Sequence, residues 1–222
     1  MSDRINKVFL DNKKKLVSFV TGGDPNQSTS KEILESIIQN GVDIIEIGMP
    51  FSDPMADGPT IQLSSNRAIK EGVNLDTIFD ICENLRKKHK DIPIILMGYY
   101  NTIYNYGITE FTKKCSSTQI DGLIIVDLQP EEDSELYESI KPYDIDLIRL
   151  ITPNTTEERL KIITSHASGF LYYVTITGIT GQKSADMNVL KKSLQNIRKF
   201  SELPIIAGFG INNKKQVNEI CK

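Results

Sequence analysis

The chain has 222 residues and a formal charge of −3, with 26 Lys and Arg against 29 Asp and Glu, so it carries no basic field to attract nucleic acid or an anionic membrane. Three widely spaced cysteines, Cys82, Cys115 and Cys221, and only two histidines argue against a disulfide framework and against a zinc site. No run reaches the roughly 18 to 20 apolar residues that span a bilayer. The mixed-charge start "MSDRINKVFLDNKKK" lacks the apolar segment of a signal peptide, so a cytoplasmic protein is expected.

In chain order, seven short apolar runs read as strands: "LVSFVT" from Leu16, "VDIIEIG" from Val42, "PIILM" from Pro93, "GLIIV" from Gly122, "DLIRLI" from Asp146, "FLYYVT" from Phe170 and "LPIIAG" from Leu203. Most lack strict polar alternation, the pattern of strands covered on both faces in a parallel sheet. Helical periods lie between them. After Asn74, a candidate N-cap, Leu75, Ile78, Phe79, Cys82 and Leu85 trace one buried stripe, and "RKKHK" then places cations at the helix end. Cys82 on that stripe reads as a buried structural thiol. Leu190, Leu194 and Ile197 repeat the pattern after the sixth run. The lysine patches at 13–15 and 87–90 read as solvated helix ends. No linker or composition shift divides the chain, so residues 1–222 are expected to form a single domain.

Both a doubly wound sheet and a closed barrel have this alternation. Asp24, Glu46, Asp127 and the glycines of "TGITG" and "AGFG" fall at or just past the carboxyl ends of strands, where both architectures build sites. The absence of GxGxxG after the first strand weighs against the dinucleotide-binding form.

In "VDIIEIG" the strand period puts Ile44, Glu46 and Gly48 on one face and Asp43, Ile45 and Ile47 on the other. Buried in an apolar setting, Glu46 would have its pKa raised toward the range useful for proton transfer. Spacing alone serves equally well for a strand-end glutamate that reaches solvent or pairs with a lysine. Asp53 and Asp57 follow in a loop stiffened by Pro50, Pro54 and Pro59, with Gly58 beside them. They could hold carboxylates in place or cap the helix that begins near "DGPTIQ". The glycine-rich "TGITGQK" and "GFGI" after the last two strands suggest backbone donors to a phosphate, although glycine after a strand is also ordinary turn chemistry.

Taken together, "SFVTGGDP", "EIGMPFSDPMADGPTIQ", "LMGYYN", "DGLIIVDLQPEE", "YYVTITGITG" and "GFGI" resemble, in order and over essentially the whole chain, the alpha subunits of tryptophan synthase. The resemblance implies an α/β fold, the (β/α)₈ TIM barrel. It implies a carbon–carbon lyase of tryptophan biosynthesis that cleaves indole-3-glycerol phosphate to indole and glyceraldehyde 3-phosphate by a retro-aldol reaction. By motif, Glu46 matches the general acid and base that protonates indole C3 and later takes the hydroxyl proton. Asp57 matches the carboxylate that holds the indole N–H and stabilises ring charge. The first must be neutral to act and the second ionised, so their environments must separate their pKa values.

Tyr172 matches a site tyrosine near the glycerol, with Tyr173 beside it expected in the core. Phe19, Tyr99 and Asp127 match positions lining the substrate cavity, with Phe19 packing on the indole. Thr180 matches a loop threonine that pairs with Asp57 on closure, and Gly181 and Gly210 match backbone donors to the phosphate. No cofactor or metal is implied. The implied partner is the beta subunit, in an alpha2beta2 complex.

The sequence departs from the family pattern at Gln129, often a proline near the partner surface, and at Arg149, where an apolar residue is usual. It ends at "NNKKQVNEICK", so the eighth strand and its phosphate-binding helix are expected to be lacking from this chain. That motivates an alternative, a weakly active or inactive binding subunit that activates the beta subunit. A sugar-phosphate isomerase or epimerase is a third reading, disfavoured by the scarcity of histidine.

Overall fold

The computed structural model describes residues 2–11, 13–174, 187–208 and 218, and the chain divides into two compact units, Met1–Leu147 and Ile148–Lys222. The first unit runs α1 (Asp3–Val8), β1 (Val17–Thr21), α2 (Gln27–Gln39), β2 (Ile44–Gly48), α3 (Pro59–Lys70), α4 (Leu75–Lys88), β3 (Ile94–Gly98), α5 (Tyr100–Tyr106), α6 (Ile108–Ser117), β4 (Gly122–Ile125), α7 (Ser134–Ile140) and β5 (Asp146–Leu147). Its sheet has the order β1-β2-β3-β4-β5, every pair parallel. The second unit runs β6 (Arg149–Ile151), α8 (Glu157–Ser165), β7 (Leu171–Val174), α9 (Met187–Ile197) and β8 (Ile205–Gly208), with a parallel sheet ordered β6-β7-β8.

All seven expected strands form, with ends shifted by a residue or two. The fifth run, "DLIRLI", becomes two short strands in different sheets with Ile148 between them, so the described residues hold eight strand segments. Two helices, α3 and α4, separate β2 from β3, and two more, α5 and α6, separate β3 from β4.

Alternation along the strands sorts the first unit's side chains. Ile45 and Ile47 of β2, Leu96 of β3, and Leu123 and Ile125 of β4 form one core with Ile78, Cys82 and Leu85 of α4, Phe111 of α6 and Leu136 of α7. The α4 stripe is buried as its period requires, and burial pushes the Cys82 thiol up to about 12, which keeps it inert. Asn74 does cap α4. Its side chain accepts from the Thr77 amide at 3.0 Å while the Thr77 hydroxyl accepts from the Asn74 amide, closing a capping box. In the second unit Ile151, Leu171 and Tyr173 pack with Leu160 and Ile163 of α8 and with Leu190 and Ile197 of α9, which confirms Tyr173 as a core residue.

"RKKHK" at the end of α4 behaves as two kinds of residue. Lys87, Lys88 and Lys90 are exposed. Arg86 is buried, and its Nη2 donates to Asp121 Oδ2 at 2.7 Å while Nη1 donates to the Ile92 carbonyl at 2.8 Å. Asp121 also accepts from the Ile94 amide at 2.8 Å and from Arg4 Nη1 at 3.1 Å. This network ties α1 and α4 to the amino end of β3, away from the carboxyl strand ends. Among the described residues no helix is long and apolar enough to cross a membrane, and no group of three or more His, Cys, Asp or Glu could hold a metal ion.

Candidate active site

The face of the first sheet opposite that helix-packed core carries the candidate acid. Parallel registry sets Phe19, Glu46 and Ile95 side by side across β1, β2 and β3, with Thr21, Gly48 and Met97 in the next layer toward the carboxyl ends. Same-face neighbours in a sheet share one environment, so Glu46 lies between an aromatic ring and an isoleucine. It is 1% exposed, and among the described residues its Oε1 has no hydrogen-bond partner. The ionised form is therefore poorly solvated, and burial raises the pKa from its ordinary 4.5 to about 8. That burial excludes the reading in which Glu46 reaches solvent, and no lysine pairs with it among the described residues.

Gly48 makes room for Phe19. A Cβ there would lie 2.6 Å from the end of the Phe19 ring, so the ring can lie across the strand only because the side chain is missing. Phe19, Thr21, Gly48, Met97 and Tyr99 then line a cleft at the carboxyl strand ends, with Asp57 at its edge. Phe51, stacked on Tyr99 at 5.3 Å between ring centroids, adds a second aromatic wall.

Asp57 does not cap α3. The N-cap is Gly58, without a side-chain hydrogen bond, and Pro59 occupies the first turn. The Asp57 carboxylate accepts from the Tyr99 hydroxyl at 3.0 Å, across from the β3 end. Partial burial raises its pKa, and the Tyr99 hydrogen bond opposes the rise. The two carboxyls are thus held differently: one fully buried with an unpartnered oxygen, the other half-buried with a donor. Asp53, by contrast, is exposed and bonded to the neighbouring Ser52 hydroxyl.

Two contacts fix the loop that carries Asp57. Thr21 Oγ1 of β1 and Ser64 Oγ of α3 lie 2.7 Å apart, and Arg67 of α3 donates twice to Asp24, at 2.7 and 2.8 Å. The body of α3 is therefore tied to β1 and the turn after it, which holds the helix into which the loop after β2 runs. The Asp57 amide donates to the Pro54 carbonyl at 3.0 Å, and Gln62 Nε2 donates to the Asp57 carbonyl at 2.9 Å.

The other expected site residues fare unevenly. Phe19 and Tyr99 line the cleft. Asp127 is exposed, and its Oδ1 accepts from the Tyr100 amide at 2.8 Å, anchoring the start of α5 beside Tyr99. Tyr172 stands on β7 in the second unit, where a Cβ at Gly208 would lie 2.4 Å from its ring, so glycine leaves the space the tyrosine fills. Arg149 is buried in β6 despite its charge. Thr180, Gly181 and Gly210 lie outside the described residues, as do "TGITGQK" and most of "GFGI". Sequence reasoning missed Thr21, Ser65 and Phe51 as cleft residues and the link from Tyr99 to Asp57, because these depend on which loops meet.

In chemical terms the first unit offers a cleft with aromatic walls and the Asp57 carboxylate among its lining, and on β2, buried and not itself among the described lining residues, a carboxyl that can be neutral near pH 7. The sequence profile of the family described as "Tryptophan synthase alpha chain" matches residues 5–222. The tryptophan synthase alpha chain of Petrotoga mobilis is 48% identical over 219 residues, covering 99% of this chain and 84% of that protein. The crystal structure of tryptophan synthase subunit alpha from Legionella pneumophila superposes with a TM-score of 0.89 at 34% identity, over 99% of this chain and 83% of that one. A chain from a structure of the Pyrococcus furiosus tryptophan synthase a2b2 complex matches with a TM-score of 0.84 at 32% identity, over 93% and 82%. The fold class is the α/β TIM barrel of these relatives, and the chain belongs to the tryptophan synthase alpha chain family.

Proposed function

We propose that Glu46 and Asp57 divide the work of the family's reaction in this chain, the retro-aldol cleavage of indole-3-glycerol phosphate into indole and glyceraldehyde 3-phosphate. The observation that carries this reading is Glu46, fully buried on β2 with an unpartnered oxygen and a pKa pushed up to about 8. A carboxyl in that state holds its proton at neutral pH and can deliver it to an enamine carbon. Protonation of C3 uses the ring π electrons and leaves positive charge on the ring nitrogen, where the Asp57 carboxylate accepts the N–H and stabilises the cation. The Glu46 carboxylate then takes the proton of the adjacent glycerol hydroxyl. The O–H electrons form the aldehyde carbonyl, the carbon–carbon bond breaks, and its electrons return to the ring. Glu46 ends protonated, so the cycle closes without an external proton source. Phe19 packs on the indole, and Tyr172 assists at the glycerol end.

The partner is the tryptophan synthase beta subunit, as in the a2b2 complex to which the Pyrococcus furiosus chain belongs. We place the enzyme in the cytoplasm, which its recovery in the soluble fraction of lysed cells would check and exclusive recovery with membranes would contradict.

The pH dependence of kcat tests the division of roles. Glu46 must be protonated to begin, so kcat falls as pH rises through about 8. Asp57 must be ionised, so kcat also falls on the acid side, at a midpoint above that of an ordinary aspartate because burial raises its pKa. The expected profile is a bell. A rate that climbs through pH 8 to a plateau would mean that Glu46 acts only as a base.

A further inference from the structure

Asp57 meets Tyr99 in an arrangement that fixes the direction of a hydrogen bond. The amide of Ala56, the residue before Asp57, donates to the Tyr99 hydroxyl oxygen at 3.0 Å, and that oxygen lies 3.0 Å from Asp57 Oδ2. A phenol has one proton to give. With the Ala56 N–H already pointing at its oxygen, Tyr99 directs that proton to Asp57. A protonated Asp57 could still accept this hydrogen bond through its carbonyl oxygen, but the bond to an ionised carboxylate is the stronger one. The geometry therefore favours the anion. Tyr99 is itself held, 2% exposed and stacked on Phe51.

We propose that Tyr99 is a positioning residue for Asp57: its hydroxyl, oriented by the Ala56 amide, fixes the carboxylate at the rim of the cleft and keeps it ionised. The proposal rests on the role given to Asp57 above. It goes beyond a place for Tyr99 in the cavity wall, because it assigns the hydroxyl a function in the charge state of another residue.

Among the described residues the charged and titratable groups around this pair are few, and of those lining the cleft Asp57 and Tyr99 are the titratable ones. Burial above all raises the Tyr99 pKa, and the charges of Asp57 and of Asp127, in the loop after β4, add to it, so the phenol remains a donor through the working range. Asp53 is turned to Ser52, Arg67 to Asp24, and Glu46 lies deeper on β2. The hydroxyl of Tyr99 is thus the group that opposes the effect of burial on Asp57.

The test is a titration of the Asp57 carboxyl by NMR in the full chain labelled with carbon-13 at aspartate side chains, its resonance assigned by its loss in Asp57→Asn. It is run on the wild type, on Tyr99→Phe and on the chain with 3-fluorotyrosine at position 99, a stronger donor of the same shape. Tyr99→Phe should raise the Asp57 midpoint by about one unit, a tenfold loss of ionised carboxylate on the acid side. The fluorinated side chain should lower it. In indole release from indole-3-glycerol phosphate, the acid limb of kcat should move with the midpoint while KM changes little. An unchanged Asp57 midpoint across the three folded proteins would overturn the proposal, and so would a change in KM alone, the signature of a wall residue. If Tyr99→Phe fails to fold, the fluorinated protein decides. Full cleavage by Asp57→Asn would count against the catalytic role of Asp57, and the titration would still report on the hydrogen bond.

Discussion

Glu46 and Asp57 lie eleven positions apart in one sequence segment, and their surroundings hold them differently. The strand period of two fixes the face on which Glu46 lies. Its depth of burial comes from Phe19 and Ile95 on neighbouring strands, which is why spacing left a solvent-reaching role open. For Asp57 the sequence allowed a helix cap, and only the approach of Tyr99, forty-two residues later, shows the carboxylate engaged elsewhere. Burial of Glu46 has a measurable consequence for stability. Its pKa is about 8 in the folded chain against 4.5 ordinarily. Between those values the folded state holds a proton that the unfolded state has released, so stability falls as pH rises. The slope is at most about 1.4 kcal/mol per pH unit and ends above the folded pKa. Denaturant unfolding of Glu46→Gln between pH 5 and pH 9 should lack this component of the slope. Parallel stability curves for the two proteins would mean that Glu46 is ionised at neutral pH.

At the scale of elements, α4 was the most legible part of the sequence, since its cap, stripe and basic end all emerge as read. The exception is Arg86, which the charge run hides among lysines. A cation facing solvent and a cation entering a buried network look the same when the carboxylate they meet, Asp121, lies thirty-five residues away. Removing the guanidinium would leave a buried carboxylate short of its closest cationic donor. Arg86→Ala should therefore cost about 3 to 5 kcal/mol of unfolding free energy, whereas Lys87→Ala, which breaks an exposed pair with Glu83, should cost less than about 1 kcal/mol. Equal losses in urea unfolding would show that the network contributes nothing beyond a surface contact. The break within "DLIRLI" was illegible for a related reason. Strand continuity depends on which neighbour each half pairs with, β4 for one and β7 for the other.

At the scale of the whole molecule, the family was legible because its motifs sit at the carboxyl ends of successive strands, where a parallel α/β fold gathers its site. The carboxyls proposed for the chemistry lie in the first unit, Glu46 on β2 and Asp57 just before α3, with Phe19 on β1 and Tyr99 just after β3. The phosphate donors expected at Gly181 and Gly210 lie outside the described residues. In the proposed reaction the neutral Glu46 carboxyl starts carbon–carbon cleavage. Glu46→Gln keeps the size of the side chain and removes the transferable proton. Indole release at saturating indole-3-glycerol phosphate, measured on wild type and Glu46→Gln with matched circular dichroism spectra, should fall by about 10²-fold or more in kcat. A folded Glu46→Gln protein that releases indole at close to the wild-type rate would contradict it.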